Sequence, residues 1–222
     1  MVAQDLQTIM TMKGSKLALL LLLVVVFEIL LFSGSDANPW WRRRRRRYVQ
    51  PCSSSRPSSP TWVNRWQKNF NVRCHNSYSI KEWQSLYRDC KGDRLYYFKC
   101  KYGPFSYRRN IHCSSTHYVN YYDRPLAFKC PRNGVLAGIA SIFSVTAMDR
   151  RFSFRCCRKR RYIAHSCMHT VIQNRWHQKL RYVVPRGYYL VGAFSEHQNG
   201  KKDRIWKFEI CKFSRVLRRR YG

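Results

Sequence analysis

Acidic residues are scarce in this sequence. It has 11 Asp and Glu against 43 Lys and Arg, which gives a formal net charge of +32 over 222 residues. An excess of this size excludes a balanced surface and points to polyanionic partners: sulfated glycans, nucleic acid or anionic membrane surfaces. So few carboxylates also argue against a hydrolase, which would need a pair of them for acid and base work.

Recognisable catalytic and metal-binding motifs are missing as well. The sequence contains no HExxH, no GxSxG and no glycine-rich phosphate loop. Its ten cysteines include no CxxC or Cys/His spacing, which favours disulfides over zinc. His165, His169 and His177 come nearest to a cluster, and we interpret them as surface or packing residues. We therefore predict a protein that is not an enzyme and that needs no metal and no cofactor.

No apolar run reaches the ~20 residues that a membrane-spanning helix needs. Lys13 and Lys16 precede an apolar stretch at 17–32, interrupted only by Glu28, and small residues follow at 33–37. This layout predicts a secretory signal peptide at 1–37, with a membrane anchor as the alternative. The ten cysteines favour export, because disulfides persist in oxidising compartments.

The next segment, residues 38–61, is basic and then rich in Ser and Pro. Its basic part is the run Arg42, Arg43, Arg44, Arg45, Arg46 and Arg47. Either a convertase cuts after this run, so that a propeptide ends at 47, or the run is kept as a flexible polyanion-binding arm. Residues 52–60 are typical of a linker, and the folded domain is expected at 62–222.

One motif, Asp-Arg-x-aromatic-x-aromatic, occurs three times. Its period-two alternation predicts a β-strand with one buried face and an opposite face that is mostly polar. We interpret the motif as structural, with the aspartate turning the backbone at the strand entrance and the arginine lying on a ring. The motif residues are Asp93, Arg94, Tyr96, Phe98, Asp149, Arg150, Phe152, Phe154, Asp203, Arg204, Trp206 and Phe208.

The three motifs end three internal repeats. The first two repeats begin at Trp62 and Tyr118, and the third, looser one is recognised from Tyr188. Only residues 81–88 have a spacing that a helix would also fit. The pattern predicts an all-β domain in which three pseudo-repeats of short antiparallel strands close into a disulfide-stapled barrel or prism-like domain.

Cysteine spacing predicts the disulfides. Two intervals are identical, since 26 positions separate Cys74 from Cys100 and Cys130 from Cys156, so we expect the same staple twice. Cysteines on the opposite strand face need other partners, and the last pair follows by elimination. The predicted pairs are Cys74–Cys100, Cys130–Cys156, Cys113–Cys157, Cys167–Cys211 and Cys52–Cys90.

Basic clusters outside the six-arginine run are candidate polyanion-binding residues. The planar fork of arginine suits sulfate as it suits phosphate. These candidates are Arg155, Arg158, Lys159, Arg160, Arg161, Lys201, Lys202, Arg218, Arg219 and Arg220. The alternative is a generally basic surface without a defined site.

The sequence resembles the dermatopontin family over residues 62–213. The resemblance rests on the three motifs, the doublet Cys156-Cys157, Val135-Leu136-Ala137-Gly138, Arg204-x-Trp206-Lys207-Phe208 and Trp62-Val63-Asn64. It implies a secreted, non-enzymatic protein of the extracellular matrix. Family members bind dermatan sulfate proteoglycans, associate with collagen fibrils and promote cell adhesion, and invertebrate members include agglutinins.

The sequence departs from the family in its charge. Vertebrate members are acidic, whereas the tyrosines here lie among Arg and Lys, which favours sulfated glycans as partners. We therefore expect an extracellular-matrix and adhesion protein that binds sulfated glycosaminoglycans or proteoglycans and supports collagen fibril organisation. Collagen and cell-surface receptors are further expected partners, while nucleic acid is not. The alternative is a secreted carbohydrate-binding agglutinin, or lectin, with a defence role.

Overall fold

A computed structural model describes residues 52–105 and 110–216. The regular structure of these residues is strand throughout, apart from one short 3-10 turn at Asp89–Lys91. The prediction of an all-β, disulfide-stapled domain is therefore confirmed. The expected signal peptide, the run Arg42 to Arg47 and the tail Arg218 to Arg220 lie outside the described residues.

The described residues form eleven strands. They are β1 (Phe70–Arg73), β2 (Tyr78–Arg88), β3 (Asp93–Tyr102), β4 (Ile111–Ser115), β5 (Leu126–Lys129), β6 (Val135–Ser144), β7 (Asp149–Lys159), β8 (Tyr162–His169), β9 (Leu180–Val183), β10 (Tyr189–Gln198) and β11 (Asp203–Arg215). Each motif opens a strand, namely β3, β7 or β11.

Residues 81–88 belong to β2, so a helix there is wrong. A β-bulge interrupts the pairing between Ile80 and Glu82. The extra residue places Ile80 and Trp83, three positions apart, in the same core, and both are fully buried. A bulge therefore produced the i, i+3 spacing that resembles a helical period.

Three sheets are each built around one long hairpin, β2–β3, β6–β7 or β10–β11. The short first strand of each repeat leaves its own hairpin and pairs with the next one: β1 with β6, β5 with β10, and β9 with β2. Repeat 1 (residues 62–102) thus contributes a strand to the sheet of repeat 2 (118–159), repeat 2 contributes one to repeat 3 (172–215), and repeat 3 contributes one to repeat 1. This exchange closes the three repeats into a pseudo-threefold ring.

A buried asparagine marks the start of each repeat. Asn64, Asn120 and Asn174 each donate to the carbonyl of the motif arginine at 2.9–3.0 Å. Each also accepts the amide of the first motif aromatic at 2.8–3.0 Å. The third repeat therefore begins near Ile172, earlier than the sequence predicts, because Ile172 and Gln173 lack the aromatic residue that identifies the first two starts.

The motif aromatics meet in one core. Trp206 packs on Trp83 at 4.9 Å and edge-on against Phe152 at 5.1 Å between ring centroids. Phe152 in turn contacts Tyr96 of repeat 1 at 6.0 Å. All three repeats therefore contribute large rings to a single apolar centre, which supplies the main driving force for closure.

The ten cysteines form five disulfides, with none left free. The pairs are Cys52–Cys90, Cys74–Cys100, Cys113–Cys157, Cys130–Cys156 and Cys167–Cys211, the same pairs that spacing, strand faces and elimination predict together. Cys113–Cys157 and Cys167–Cys211 join the edge strands β4 and β8 to their hairpins. Repeat 1 instead carries Cys52–Cys90, which ties the amino-terminal segment to the domain.

Removing Cys130–Cys156 with the double substitution C130S/C156S should lower the free energy of unfolding by about 3 kcal/mol, since the unfolded chain regains the entropy of a closed loop. Urea denaturation followed by tryptophan fluorescence, with the other disulfides intact, measures this change. C74S/C100S opens a loop of the same 26 positions and should cost a similar amount. Losses below ~1 kcal/mol in both variants would contradict the prediction.

Candidate functional site

The three motif arginines each bind an aspartate of another repeat. The Nε–Oδ1 distances are 2.6–2.7 Å, and each Nη2 reaches the second carboxylate oxygen at 2.7–2.8 Å. No side chain of the six is more than 3% exposed. The pairs are Arg94–Asp203, Arg150–Asp93 and Arg204–Asp149. The first pair joins repeats 1 and 3, the second joins repeats 2 and 1, and the third joins repeats 3 and 2. We call these three pairs the Asp–Arg ring.

Each aspartate of the ring also holds a backbone turn of its own repeat. The amides of Gln67, Asp123 and His177 donate to these carboxylates at 2.6–2.8 Å. Each donor lies 26 positions before its acceptor and has a positive φ of 58–62°. The aspartate therefore accepts hydrogen bonds from a buried amide of its own repeat and from Nε and Nη2 of an arginine in a neighbouring repeat at once.

The electrostatics of the ring follow from burial and pairing. Burial alone would lower the pKa of Arg150, but the charge and hydrogen bond of Asp93 outweigh it, and the pKa is raised. Arg150 also lies over the rings of Phe143, Phe70 and Tyr96 at 5.1–5.7 Å. Burial raises the pKa of Tyr96 despite the two nearby arginines. Both raised pKa values keep Arg150 charged and Tyr96 neutral over the physiological pH range.

The space on the ring axis is too small for a ligand. A cavity of about 20 Å³ remains there, which holds roughly one water molecule. Beside it His197, with a side chain only 1% exposed, lies 3.2 Å from Asp123 Oδ1 and 3.7 Å from Asp149 Oδ1. Asp149 already binds Arg204 through both oxygens, which disfavours a metal ion at this cluster. The ring is a structural centre.

The predicted polyanion-binding residues of the described chain lie at two distant places. Arg155 lies on β7 and donates to Asn76 Oδ1 at 2.7 Å. Towards the β7–β8 turn the chain carries Arg158, Lys159, Arg160 and Arg161. Lys201 and Lys202 lie in the β10–β11 turn instead, where Lys202 lies beside the ring. Eleven strand residues, or about 30 Å, separate the ring from the β7–β8 turn, so the two groups do not form one site.

The sequence did not predict a third basic site, at the start of the described chain. A cleft of about 450 Å³ lies there, and every charged residue that lines it is a cation. These cations are Arg56, Arg65, Lys68 and Lys91, and the other lining residues are Ser54, Trp66 and Gln67. We call this site the amino-terminal cleft. Its cations stand singly in the sequence, so no charge run marked them.

The wall of the amino-terminal cleft comes from the segment that the sequence predicts as a linker, 52–60. The disulfide Cys52–Cys90 fixes one end of it, and Trp66 Nε1 donates to the carbonyl of Ser55 at 3.2 Å. The predicted Cys52–Cys90 pair was the sequence signal that could have located this wall.

A different, largely apolar site lies on the outer face of the β5–β10–β11 sheet. It is a groove of about 250 Å³, which we call the third-sheet groove. Its side chains include Ala127, Ile172, Phe194, Glu196, Ile205 and Lys207. The corresponding face of repeat 1 is closed, because Leu95 is fully buried with Trp62 and Trp66. The expectation of a mostly polar opposite face is therefore wrong for repeat 1.

Among residues 52–105 and 110–216, no helix has the length and apolarity to cross a membrane.

Comparison with known proteins identifies the family. The model of the family described as Dermatopontin matches residues 64–215. The chain is 35% identical to a hemagglutinin/amebocyte aggregation factor of Limulus polyphemus over 69% of this chain and 88% of that protein. It is 30% identical to a dermatopontin of Biomphalaria glabrata (68% and 99%) and 26% identical to human dermatopontin (71% and 79%). No solved structure gives a significant match. With its three motif repeats and a family match over most of its length, the chain belongs to the dermatopontin family, which supports an extracellular-matrix type of protein.

Proposed function

We propose that this protein is a secreted, non-enzymatic matrix protein that binds sulfated glycosaminoglycans, with the amino-terminal cleft as its principal binding site. The observation that carries the proposal is the lining of this cleft, where four cations and no acid surround about 450 Å³. Sulfate groups of a glycan chain fit such a site, since Arg and Lys donate charge-assisted hydrogen bonds to them.

Most acids of the described chain are already paired with a cation, and none of them lines the cleft. Three of them belong to the Asp–Arg ring. Glu82 lies 3.5 Å from Arg181, and Glu209 lies 2.5 Å from Lys129. The exposed arginines and lysines thus have few carboxylates to oppose them, and a polyanion is drawn to the surface over several ångströms.

Secretion and a role in the matrix complete this proposal. Five disulfides in a chain of this size favour an oxidising compartment, and the apolar stretch at 17–32 supplies a leader. We propose contact with collagen fibrils and cell-surface receptors as the further role, which the resemblance to the family implies. The β7–β8 basic residues, with the regions Arg42 to Arg47 and Arg218 to Arg220, then provide secondary contacts for long polyanions.

A second candidate function is that of a carbohydrate-binding agglutinin with a defence role. It is favoured by the similarity to a protein named as a hemagglutinin and aggregation factor. The third-sheet groove is the observation in this chain that fits it, because the groove is apolar at its base and carries no excess charge.

Heparin chromatography distinguishes the two functions. For the matrix function we expect the protein to elute only with salt, since counterion release makes polyanion binding steeply salt-dependent. Simple neutral sugars should leave that elution unchanged. Elution by a neutral sugar, or a failure to bind heparin and dermatan sulfate at low salt, would refute the polyanion proposal.

A further inference from the structure

The rim of the third-sheet groove carries one acid and one base that do not pair with each other. Glu196 is exposed and has no ion pair among the described residues. Lys207 Nζ lies 5.7 Å from the centre of the Phe194 ring. The net charge of the rim is therefore zero, in contrast to the four positive charges of the amino-terminal cleft.

The base of the groove is apolar and rigid. Phe194 stands opposite Lys207 on β11 and opposite Ala127 on β5, while Glu196 stands opposite Ile205. His169 packs edge-on against Phe194 with 5.0 Å between ring centroids, which limits the freedom of the ring. Three paired strands hold these side chains, so the groove is formed before any ligand arrives.

Repeat 1 shows why the groove is open. Four positions of the groove have equivalents in repeat 1, counted from the motif aspartate and from the strand pairing. Ile172 corresponds to Trp62, Glu196 to Leu86, Ile205 to Leu95 and Lys207 to Tyr97. In repeat 1 they form a closed apolar cluster. In repeat 3 an isoleucine replaces the indole, and two apolar residues are replaced by an acid and a base. Repeat 3 therefore has an open groove at the position where repeat 1 has a packed apolar cluster.

We propose that the third-sheet groove binds a single pyranose ring of an uncharged glycan. The apolar face of a sugar ring packs on Phe194 and Ile205, as sugar rings commonly pack on aromatic and aliphatic side chains. The Glu196 carboxylate accepts hydrogen bonds from two neighbouring hydroxyl groups, and Lys207 donates to a third oxygen. A volume of about 250 Å³ admits one such ring.

An uncharged sugar fits better than a sulfated one because Glu196 would repel a sulfate group at the rim. The site goes beyond the polyanion proposal and does not depend on it, and it gives the agglutinin candidate a location in the fold. With the cleft formed by residues 52–60 and repeat 1, and the groove formed mainly by repeat 3, one chain can hold two chemically different glycans.

The test is titration of the complete folded protein with the methyl glycosides of glucose, galactose, mannose and N-acetylglucosamine, followed by protein NMR. We expect at least one glycoside to shift the signals of Phe194, Glu196 and Ile205. Glu196→Gln, which keeps the shape of the side chain, should weaken that binding about tenfold or more by removing a charged acceptor. Ile172→Trp introduces the residue that repeat 1 has at the equivalent position, Trp62. This larger side chain fills the groove and should abolish glycoside binding.

Asp89→Asn is the matched control, because it removes the same charge from an exposed acid outside the groove, and it should leave glycoside affinity unchanged. Heparin elution should be unchanged in Ile172→Trp, which separates this site from the polyanion site. The proposal is overturned if none of the four glycosides shifts the groove signals, or if both groove variants bind a glycoside as well as the original protein does. Binding of indole derivatives in place of glycosides would overturn it as well, in favour of an aromatic side chain as the occupant.

Discussion

Replacing Asp203 by asparagine is expected to lower the free energy of unfolding by about 3–5 kcal/mol, because it leaves a buried charge without its counterion. The charge is that of Arg94, whose side chain is 3% exposed and binds Asp203 through two hydrogen bonds of 2.6 and 2.8 Å. Asparagine has similar volume but no charge, and it can accept at only one of the two positions.

Urea denaturation of the disulfide-intact protein measures this loss, with near-ultraviolet circular dichroism as the probe of core packing. Asp89→Asn makes the same chemical change at an exposed position and should stay within about 0.5 kcal/mol of the original protein. Asp93→Asn and Asp149→Asn should cost as much as Asp203→Asn, since the three aspartates have the same role. A loss below ~1 kcal/mol in all three would contradict the view that the ring holds the repeats together.

The double variant R94M/D203N separates the value of the pair from the penalty for an unpaired charge. The double variant has no buried guanidinium left without a partner, because both charges are removed. We therefore expect it to be more stable than D203N alone. A double variant less stable than D203N would mean that Arg94 has further contacts that stabilise the fold. Its hydrogen bonds to Ser85 Oγ and the Gln178 carbonyl, at 3.0 and 3.1 Å, are the candidates.

Neutralising three cations of the amino-terminal cleft should lower heparin affinity about 100-fold. In the variant R65Q/K68Q/K91Q each lost cation removes roughly 1 kcal/mol of attraction to a polyanion, and 3 kcal/mol corresponds to a factor of about 100. Arg56 is kept because its guanidinium donates to the carbonyl of Asn64 at 3.0 Å. Calorimetry at several salt concentrations should also show a shallower salt dependence.

A matched variant separates a defined cleft from a surface that is basic everywhere. R175Q/K179Q/R186Q removes the same charge from exposed residues of repeat 3, none of which lines the cleft, and it should weaken heparin binding only a few-fold through the general field. Equal losses in the two triple variants would show that total charge governs binding, and the cleft would then not be the principal site. Circular dichroism of both variants checks that the fold is intact.

Much of the fold could be predicted because its signals are local or repeat along the chain. Alternation in Arg94-x-Tyr96-x-Phe98 predicts a strand by itself, since successive side chains of a strand point to opposite faces. The equal 26-residue intervals predict equal staples. The bulge after Ile80 could not be recognised, because one extra residue makes a strand resemble a helix.

The sites were harder to predict because their residues are distant in sequence and stand singly. The four cations of the amino-terminal cleft come from the segment before repeat 1, a loop and a 3-10 turn, and none belongs to a run of charge. The third-sheet groove arises from amino-acid differences between repeats 1 and 3. The strand register is needed to see that these differing residues lie at equivalent positions around one groove.

The amino-acid sequence by itself determined the strands, the threefold repetition and the pairing of the cysteines, since each depends on side-chain alternation or on intervals along one chain. Only the tertiary structure decided that each repeat lends a strand to the next and that every motif arginine binds an aspartate of another repeat. These partners lie 55, 57 and 109 positions apart. A buried guanidinium needs a carboxylate as its partner. Which carboxylate lies close enough depends on how the three repeats close into a ring, and no local sequence pattern predicts that closure.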